Sequence, residues 1–313
     1  MFERRGNLFV LKKKTLLTLL KIMVPIFILL LLSFEANELF KDFNWDLLNI
    51  YLDRLTIHNI ILILLLGLVC LSPMYFYDII LIKIFNIQIP KRKLIFYSLS
   101  ANSFSNLVGF GGVAGATLRS YYYSGYLQND TPYIRIIAKL SLFFLTGLSI
   151  LTWLIVFSDF HVYSEIRLIK FAVFAIAAYA IIMGLSFIFG KSFWNMEILN
   201  RGFISELISV SIFEWLFVVI CIWGIANILG VYVSFSTIFP IVVISACAGI
   251  MSLIPGGIGS FDLVFLIGME TKGFPTELSL LIIMFYRLSY YLFPVLLSTP
   301  FLLHQLLWRK HRH

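Results

Sequence analysis

Ser252-Leu-Ile-Pro255-Gly256-Gly257-Ile-Gly259-Ser-Phe-Asp262 interrupts an apolar stretch that runs from about residue 236 to 269. A second run, Asn106-Leu-Val-Gly109-Phe-Gly111-Gly112-Val-Ala-Gly-Ala-Thr-Leu-Arg119, interrupts another from about 94 to 123. Glycines packed this densely end a helix in the middle of an apolar segment. Backbone that leaves the helix at membrane depth strands N–H and C=O groups, so such a break must be packed in protein or line a wet cavity. These two runs therefore read as broken, re-entrant hairpins and not as straight spans.

The rest of the chain explains why membrane depth is the right setting. Of 313 residues, 60% are hydrophobic and 13% charged, with mean hydropathy +0.96. A soluble protein of this size needs far more polar surface. A helix crosses a ~30 Å hydrocarbon core with about twenty apolar residues, and six unbroken runs qualify: about 15–34, 57–82, 133–157, 168–189, 204–229 and 277–303. The first follows a basic tail and lacks a small-residue cleavage site, which predicts a retained helix and a mature chain starting at Met1. The expected fold class is all-α and polytopic, with about six transmembrane helices and two Gly-broken re-entrant hairpins arranged as an inverted pseudo-repeat. The expected organisation is a basic cytoplasmic tail over 1–14, one transmembrane domain over 15–308, and a basic tail over 309–313.

The net charge of +8 predicts contact with an anionic lipid surface and no nucleic acid, because the bases sit in short stretches between apolar runs. With both broken stretches re-entrant, sixteen bases fall on the side of the N-terminus and five on the other. The basic side includes Lys83, Lys91, Arg92, Lys93, Arg119, Arg135 and Arg201; the other has Lys41, Arg54, Arg167, Lys170 and Lys272. Both termini are then cytoplasmic, the first hairpin enters from the cytoplasm and the second from outside. If both stretches crossed fully, the middle of the chain would invert, an alternative the count disfavours.

The broken stretches also match each other. Ser98, Asn102, Ser105 and Gly109 are spaced 4, 3 and 4, and Ser245, Gly249, Ser252 and Gly256 repeat that spacing. Each set makes a small, polar helix face leading into a break; Lys139 and Arg287 follow at equivalent places. Interrupted segments at matching places in two halves point to a transport site near the midplane, whereas close helix packing alone would also select small residues.

Charges inside spans are costly and mark partners or cavities. Glu214 and Arg287 both lie about ten residues deep in their helices, and a mutual structural pair would satisfy both. Asp262 falls in the first turn after the second break, where the helix dipole favours a carboxylate, with Ser260 as the expected N-cap. Asp78 and Arg119 near the cytoplasmic side either snorkel to the interface or hold a zwitterionic or aminoacylated headgroup, the guanidinium on phosphate and the carboxylate on an amine. Tyr121, Tyr122 and Tyr123 read as interfacial aromatics. Cys70, Cys221 and Cys247 have no paired spacing, and the five histidines offer no ligand set, so no metal and no cofactor are expected. No P-loop, nucleophile elbow or dinucleotide fingerprint is present, and catalytic residues are none; Glu214 and Asp262 as an acid pair working on lipid have nothing beyond their number in favour.

The two glycine runs, 106–119 and 252–262, resemble the two signatures of the lysylphosphatidylglycerol synthase transmembrane region, the flippase portion of the bacterial multiple peptide resistance factor and its shorter relatives. The resemblance covers nearly the whole chain. It implies a lipid translocator of the bacterial plasma membrane that moves lysyl-phosphatidylglycerol to the outer leaflet and so blunts cationic antimicrobial peptides. It also places Asp78, Arg119, Glu214, Asp262 and Arg287 on the translocation path, beside the breaks at Gly109, Gly111, Gly112, Pro255, Gly256, Gly257 and Gly259 and the polar faces at Asn102, Ser105 and Ser252. Full-length members continue into further helices and a soluble lysyl-transferring domain, whereas this chain stops five residues after Trp308; a non-enzyme is therefore expected. The expected partners are a phospholipid substrate, with a homodimer or a separate lysyl-phosphatidylglycerol synthase as further candidates. The competing readings are a small ion or metabolite transporter on the same scaffold, and a membrane component of lysyltransferase activity acting with that separate synthase.

Overall fold

The computed structural model describes residues 44–108, 113–127, 133–158, 167–189, 194 and 200–310. The span expected over 15–34, the N-terminal basic tail, Gly109, Gly111 and Gly112, and residues 311–313 of the C-terminal tail lie outside them. The described residues are helical, with no strand among them. In order they form α1 (Trp45–Asp53), α2 (Ile57–Leu71), α3 (Tyr75–Phe85), α4 (Lys91–Val108), α5 (Val113–Tyr123), α6 (Tyr133–Leu140), α7 (Thr146–Val156) and α8 (Arg167–Phe189). There follow α9 (Arg201–Ile228), α10 (Phe235–Met251), α11 (Ser260–Glu270), α12 (Thr276–Tyr286) and α13 (Phe293–Lys310).

Five helical segments are long and apolar enough to cross a bilayer: Ile57–Phe85, Tyr133–Val156, Leu168–Phe189, Arg201–Ile228 and Thr276–Leu307. They match the five runs expected after residue 43, and the chain is a multi-pass membrane protein. Capping fixes where several helices start. Asn44, Thr56, Asn200 and Ser234 each accept a hydrogen bond from the backbone N–H three residues on, satisfying a donor that the first turn leaves open.

The outer surface is as apolar as the core, and small hydroxylated residues are buried among the apolar ones. Ile57, Ile61, Leu65, Val69 and Phe76 form an exposed stripe along the second span, and Phe171, Phe174, Ile181 and Leu185 do the same on α8. Buried in the interior are Ser98, Ser100, Ser149, Thr152, Ser211, Ser245, Ser279 and Ser289. In lipid the hydrophobic effect does not press helices together, so small and hydroxylated residues that permit close approach and interhelical hydrogen bonds take over. Ser149 shows this, donating to the Ala177 carbonyl and accepting from the Ala180 N–H across the α7–α8 contact.

Three spans are irregular inside the membrane. A 3₁₀ turn at Ser72–Met74 separates α2 from α3, with Pro73 removing a donor. Another, Ser141–Leu145, separates α6 from α7. The Phe144 carbonyl there accepts from Ser211 Oγ at 3.0 Å and Trp215 Nε1 at 2.8 Å, both on α9. A π turn, Arg287–Leu292, joins α12 to α13. Neighbouring helices come unusually close beside two of these turns: a Cβ on Gly67 would lie 2.3 Å from the Ser289 carbonyl oxygen, and one on Gly147 2.1 Å from that of Ser211.

The two glycine-broken stretches each fold back on themselves. Along α4 and α5, Gly115 lies against Ala101 and Ser105, Arg119 reaches Asn102, and Tyr122 meets Ser100, an antiparallel pairing. Both outer ends return to one place, since Phe301 of α13 packs on Phe96 and Tyr97 of α4 and on Tyr122 of α5. In the second stretch Gly249 of α10 lies against Gly257 and Phe261, and Ser260 donates to Ser252. The 11-residue arms α5 and α11 are about 16 Å long, half of what a ~30 Å core requires.

Candidate functional site

The second break supplies the geometry that joins the halves. Gly256 and Gly257 take left-handed backbone angles, φ 64° and 62°, which a residue without Cβ adopts freely. That lets Pro255–Gly257 run against the C-terminal end of α4, where a Cβ on Gly256 would lie 3.6 Å from the Leu107 carbonyl oxygen and 3.7 Å from that of Asn106. The second break thus packs against the end of α4.

In the first half, Asp78 of α3 and Arg119 of α5 form a two-pronged ion pair, Nε to Oδ1 at 2.8 Å and Nη2 to Oδ2 at 3.0 Å. Both are buried, at 0% and 2% exposure. Asp78 also accepts from Tyr123 Oη at 2.5 Å and Ser98 Oγ at 2.7 Å. Asn102 accepts from Arg119 Nη2 and donates to the Met74 carbonyl and Ser98 Oγ. A buried guanidinium is tolerable only when paired and hydrogen-bonded in this way. The pair therefore does not snorkel, and Tyr122 and Tyr123 are buried, not interfacial.

In the second half, Arg287 binds Asp262 through Nη2 at 2.7 Å and Nε at 3.1 Å. Its Nη1 donates to the Gly256 carbonyl at 2.6 Å, so one guanidinium ties the last span to the glycine break. Its charge also lies over the rings of Tyr291 at 4.8 Å and Phe261 at 5.4 Å. Asp262 Oδ2 accepts the Gly259 N–H at 2.9 Å, so the carboxylate both caps α11 and holds the arginine. The N-cap is Gly259; Ser260, expected there, is the first helical residue and bonds Ser252 instead.

Arg287 is thus committed to Asp262, and the mutual pair considered for Glu214 and Arg287 does not form. Glu214, 7% exposed, accepts from Tyr77 Oη at 2.7 Å and forms no ion pair among the described residues. Tyr77 packs on Phe144 and, with Arg119, borders a small cavity lined also by Ala116 and Leu207. One phenol therefore stands between the first ion pair and the lone carboxylate. On the polar faces expected beside the transport site, Ser105 meets Gly115 and Ser252 accepts from Ser260, each a contact within its own hairpin.

Tyr77 and Phe144 carry no charge or glycine signal, which is why they do not stand out in the sequence, and Tyr123 stood out only as one of an aromatic run. Cys70 and Cys221, unrelated by spacing, are both free and buried.

No family model matches the chain. It is 30% identical over 296 residues to the phosphatidylglycerol lysyltransferase of Bacillus subtilis (strain 168), covering 92% of this chain and 34% of that protein. The chain is a homologue of the phosphatidylglycerol lysyltransferases. Against the protein of that name from Staphylococcus aureus (strain MRSA252) it is 32% identical over 243 residues, covering 77% and 28% respectively. Against that from Staphylococcus haemolyticus (strain JCSC1435) it is 30% identical over 226 residues, covering 71% and 26%. The chain therefore spans about a third or less of the length of these curated relatives.

Proposed function

We propose that this chain moves an aminoacylated phospholipid, lysyl-phosphatidylglycerol in class, between the leaflets of the bacterial plasma membrane, thereby lowering the surface's attraction for cationic antimicrobial peptides. The observation that carries the reading is the set of intramembrane charges around the two hairpins. Two arginines are held ready by carboxylates, and one carboxylate, Glu214, has a phenol as its bonded partner and no cation among the described residues. An anionic phosphodiester fits a guanidinium, and a lysyl ammonium fits a carboxylate. Kinship with phosphatidylglycerol lysyltransferases supports the headgroup class.

In this reading the hairpins are re-entrant, the first from the cytoplasm and the second from outside. Two contacts support that sidedness: Lys83 pairs with Glu206 at one end of the spans, and Asn44 donates to Glu277 at the other. The chain acts on the lipid by binding and release. A homodimer remains part of the proposal only as a partner class.

The test is reconstitution with fluorescent lysyl-phosphatidylglycerol, its leaflet followed from each side. Transfer faster than in empty vesicles is expected; equal rates would overturn the reading. Cysteines near Gly125 should react only from the cytoplasm and near Lys272 only from outside.

A further inference from the structure

A groove with a cavity volume of about 600 Å³ lies between α3 and α9, outside the ion-pair sites. Pro73, Phe76 and Ile80 line one wall, and Val210, Phe213 and Phe217 the other. Its polar end is marked by Lys83 and Glu206, 3.3 Å apart, with side chains 52% and 45% exposed. From Pro73 to Lys83 the helix rises about 15 Å, half of a ~30 Å hydrocarbon core. The groove is therefore one leaflet deep, apolar inside and charged at the membrane surface.

We infer that this groove docks a single bilayer phospholipid, with an acyl chain between α3 and α9 and an amine-bearing headgroup against Lys83 and Glu206. The charge pattern selects the occupant: Lys83 offers a cation to phosphate, and Glu206 a carboxylate to an amine. Its place in the fold gives docking a consequence. Phe76 and Phe213 face the groove, and the residues that follow them, Tyr77 and Glu214, bond to each other inside. The walls of the groove are thus the two helices that hold the lone carboxylate. This deepens the translocator reading and rests on it for the fate of the lipid, not for its binding.

The experiment places the full chain in phosphatidylglycerol nanodiscs containing a little lysyl-phosphatidylglycerol with a photoreactive acyl chain. Label should concentrate on Phe76, Ile79, Val210 and Phe213 over the lipid-facing Phe171 and Phe174 of α8 by about ten-fold. Unlabelled lysyl-phosphatidylglycerol should compete it away better than phosphatidylglycerol does. Ser209→Trp, which fills the groove from an exposed position, should abolish the preference without lowering thermal stability, and Lys83→Glu should weaken it. Equal labelling of α8 would overturn the inference. So would cysteine cross-links that seat residues 15–34, or a second copy, in the groove. If wild-type protein labels selectively but moves no lipid, the translocator reading fails and the docking site stands. If lipid moves at the wild-type rate in Ser209→Trp and labelling shows no preference, the docking site fails alone.

Discussion

The two halves build the same ion pair in opposite senses and finish it differently. In the first, the arginine is on the hairpin and the carboxylate on a span; in the second, Asp262 is on the hairpin and Arg287 on a span. The first pair is enclosed, at 2% and 0% exposure, and shares hydrogen bonds with Ser98, Asn102 and Tyr123. The second keeps 19% and 20% of its side chains exposed and spends one arginine donor on a backbone carbonyl. Equal charges thus do unequal structural work: the enclosed pair depends on both partners, and the open one keeps part of its surface exposed.

The sharpest way to break this comparison is to remove one charge from the enclosed pair. Arg119→Gln leaves Asp78 buried without its cation and should cost about 3–5 kcal/mol, read as a fall in unfolding temperature in detergent; adding Asp78→Asn should restore most of it. If Arg119→Gln unfolds like wild type, burial does not distinguish the sites. Arg287→Gln should cost less, about 1.5–3 kcal/mol for the charge-assisted hydrogen bonds lost, and a larger loss than for Arg119→Gln would reverse the ranking. Gly67→Ala pushes a methyl into the backbone at Ser289, two residues from Arg287. It should cost about 1–3 kcal/mol and suppress lipid transfer more than Gly184→Ala, a position with open space around it.

The smallest change in stability is expected from Glu214→Gln, less than about 1 kcal/mol, because the amide oxygen still accepts from Tyr77 and Arg287 keeps Asp262. Lipid transfer should nevertheless fall to the level of empty vesicles. Wild-type transfer by this variant would remove Glu214 from the path and leave recognition to the two pairs.

The spans were legible because an apolar run of fixed length is a strong signal: the run expected over 204–229 is α9, and that over 277–303 lies within Thr276–Leu307. The second glycine break was legible for a similar reason, since Pro255, Gly256, Gly257 and Gly259 sit where the helix ends. What was not legible is partnership. Asp78 and Arg119 are 41 residues apart, and only the return of α5 along α4 brings them together; by position alone both resembled interfacial charges. Glu214 and Arg287 looked like natural partners because each is deep, yet depth says nothing about which helix face a side chain occupies. The 3₁₀ turn at Ser141–Leu145 had no proline or glycine within it to announce it, because its cause lies on another helix, in Ser211 and Trp215.

The π turn over Arg287–Leu292 sets a rotational phase in the last span. Each residue of an ordinary α-helix advances about 100° around the axis, and a wide turn inserts surplus backbone without lengthening the helix in proportion. Residues before and after it therefore face directions that a straight helix of the same sequence could not combine. Arg287 points to Asp262 and the glycine break, while Ser289 and Tyr290 remain packed inside. Straightening the turn would bring one flank out of register with its neighbours, so the aim of the arginine and the close fit at Gly67 are two readings of a single angle.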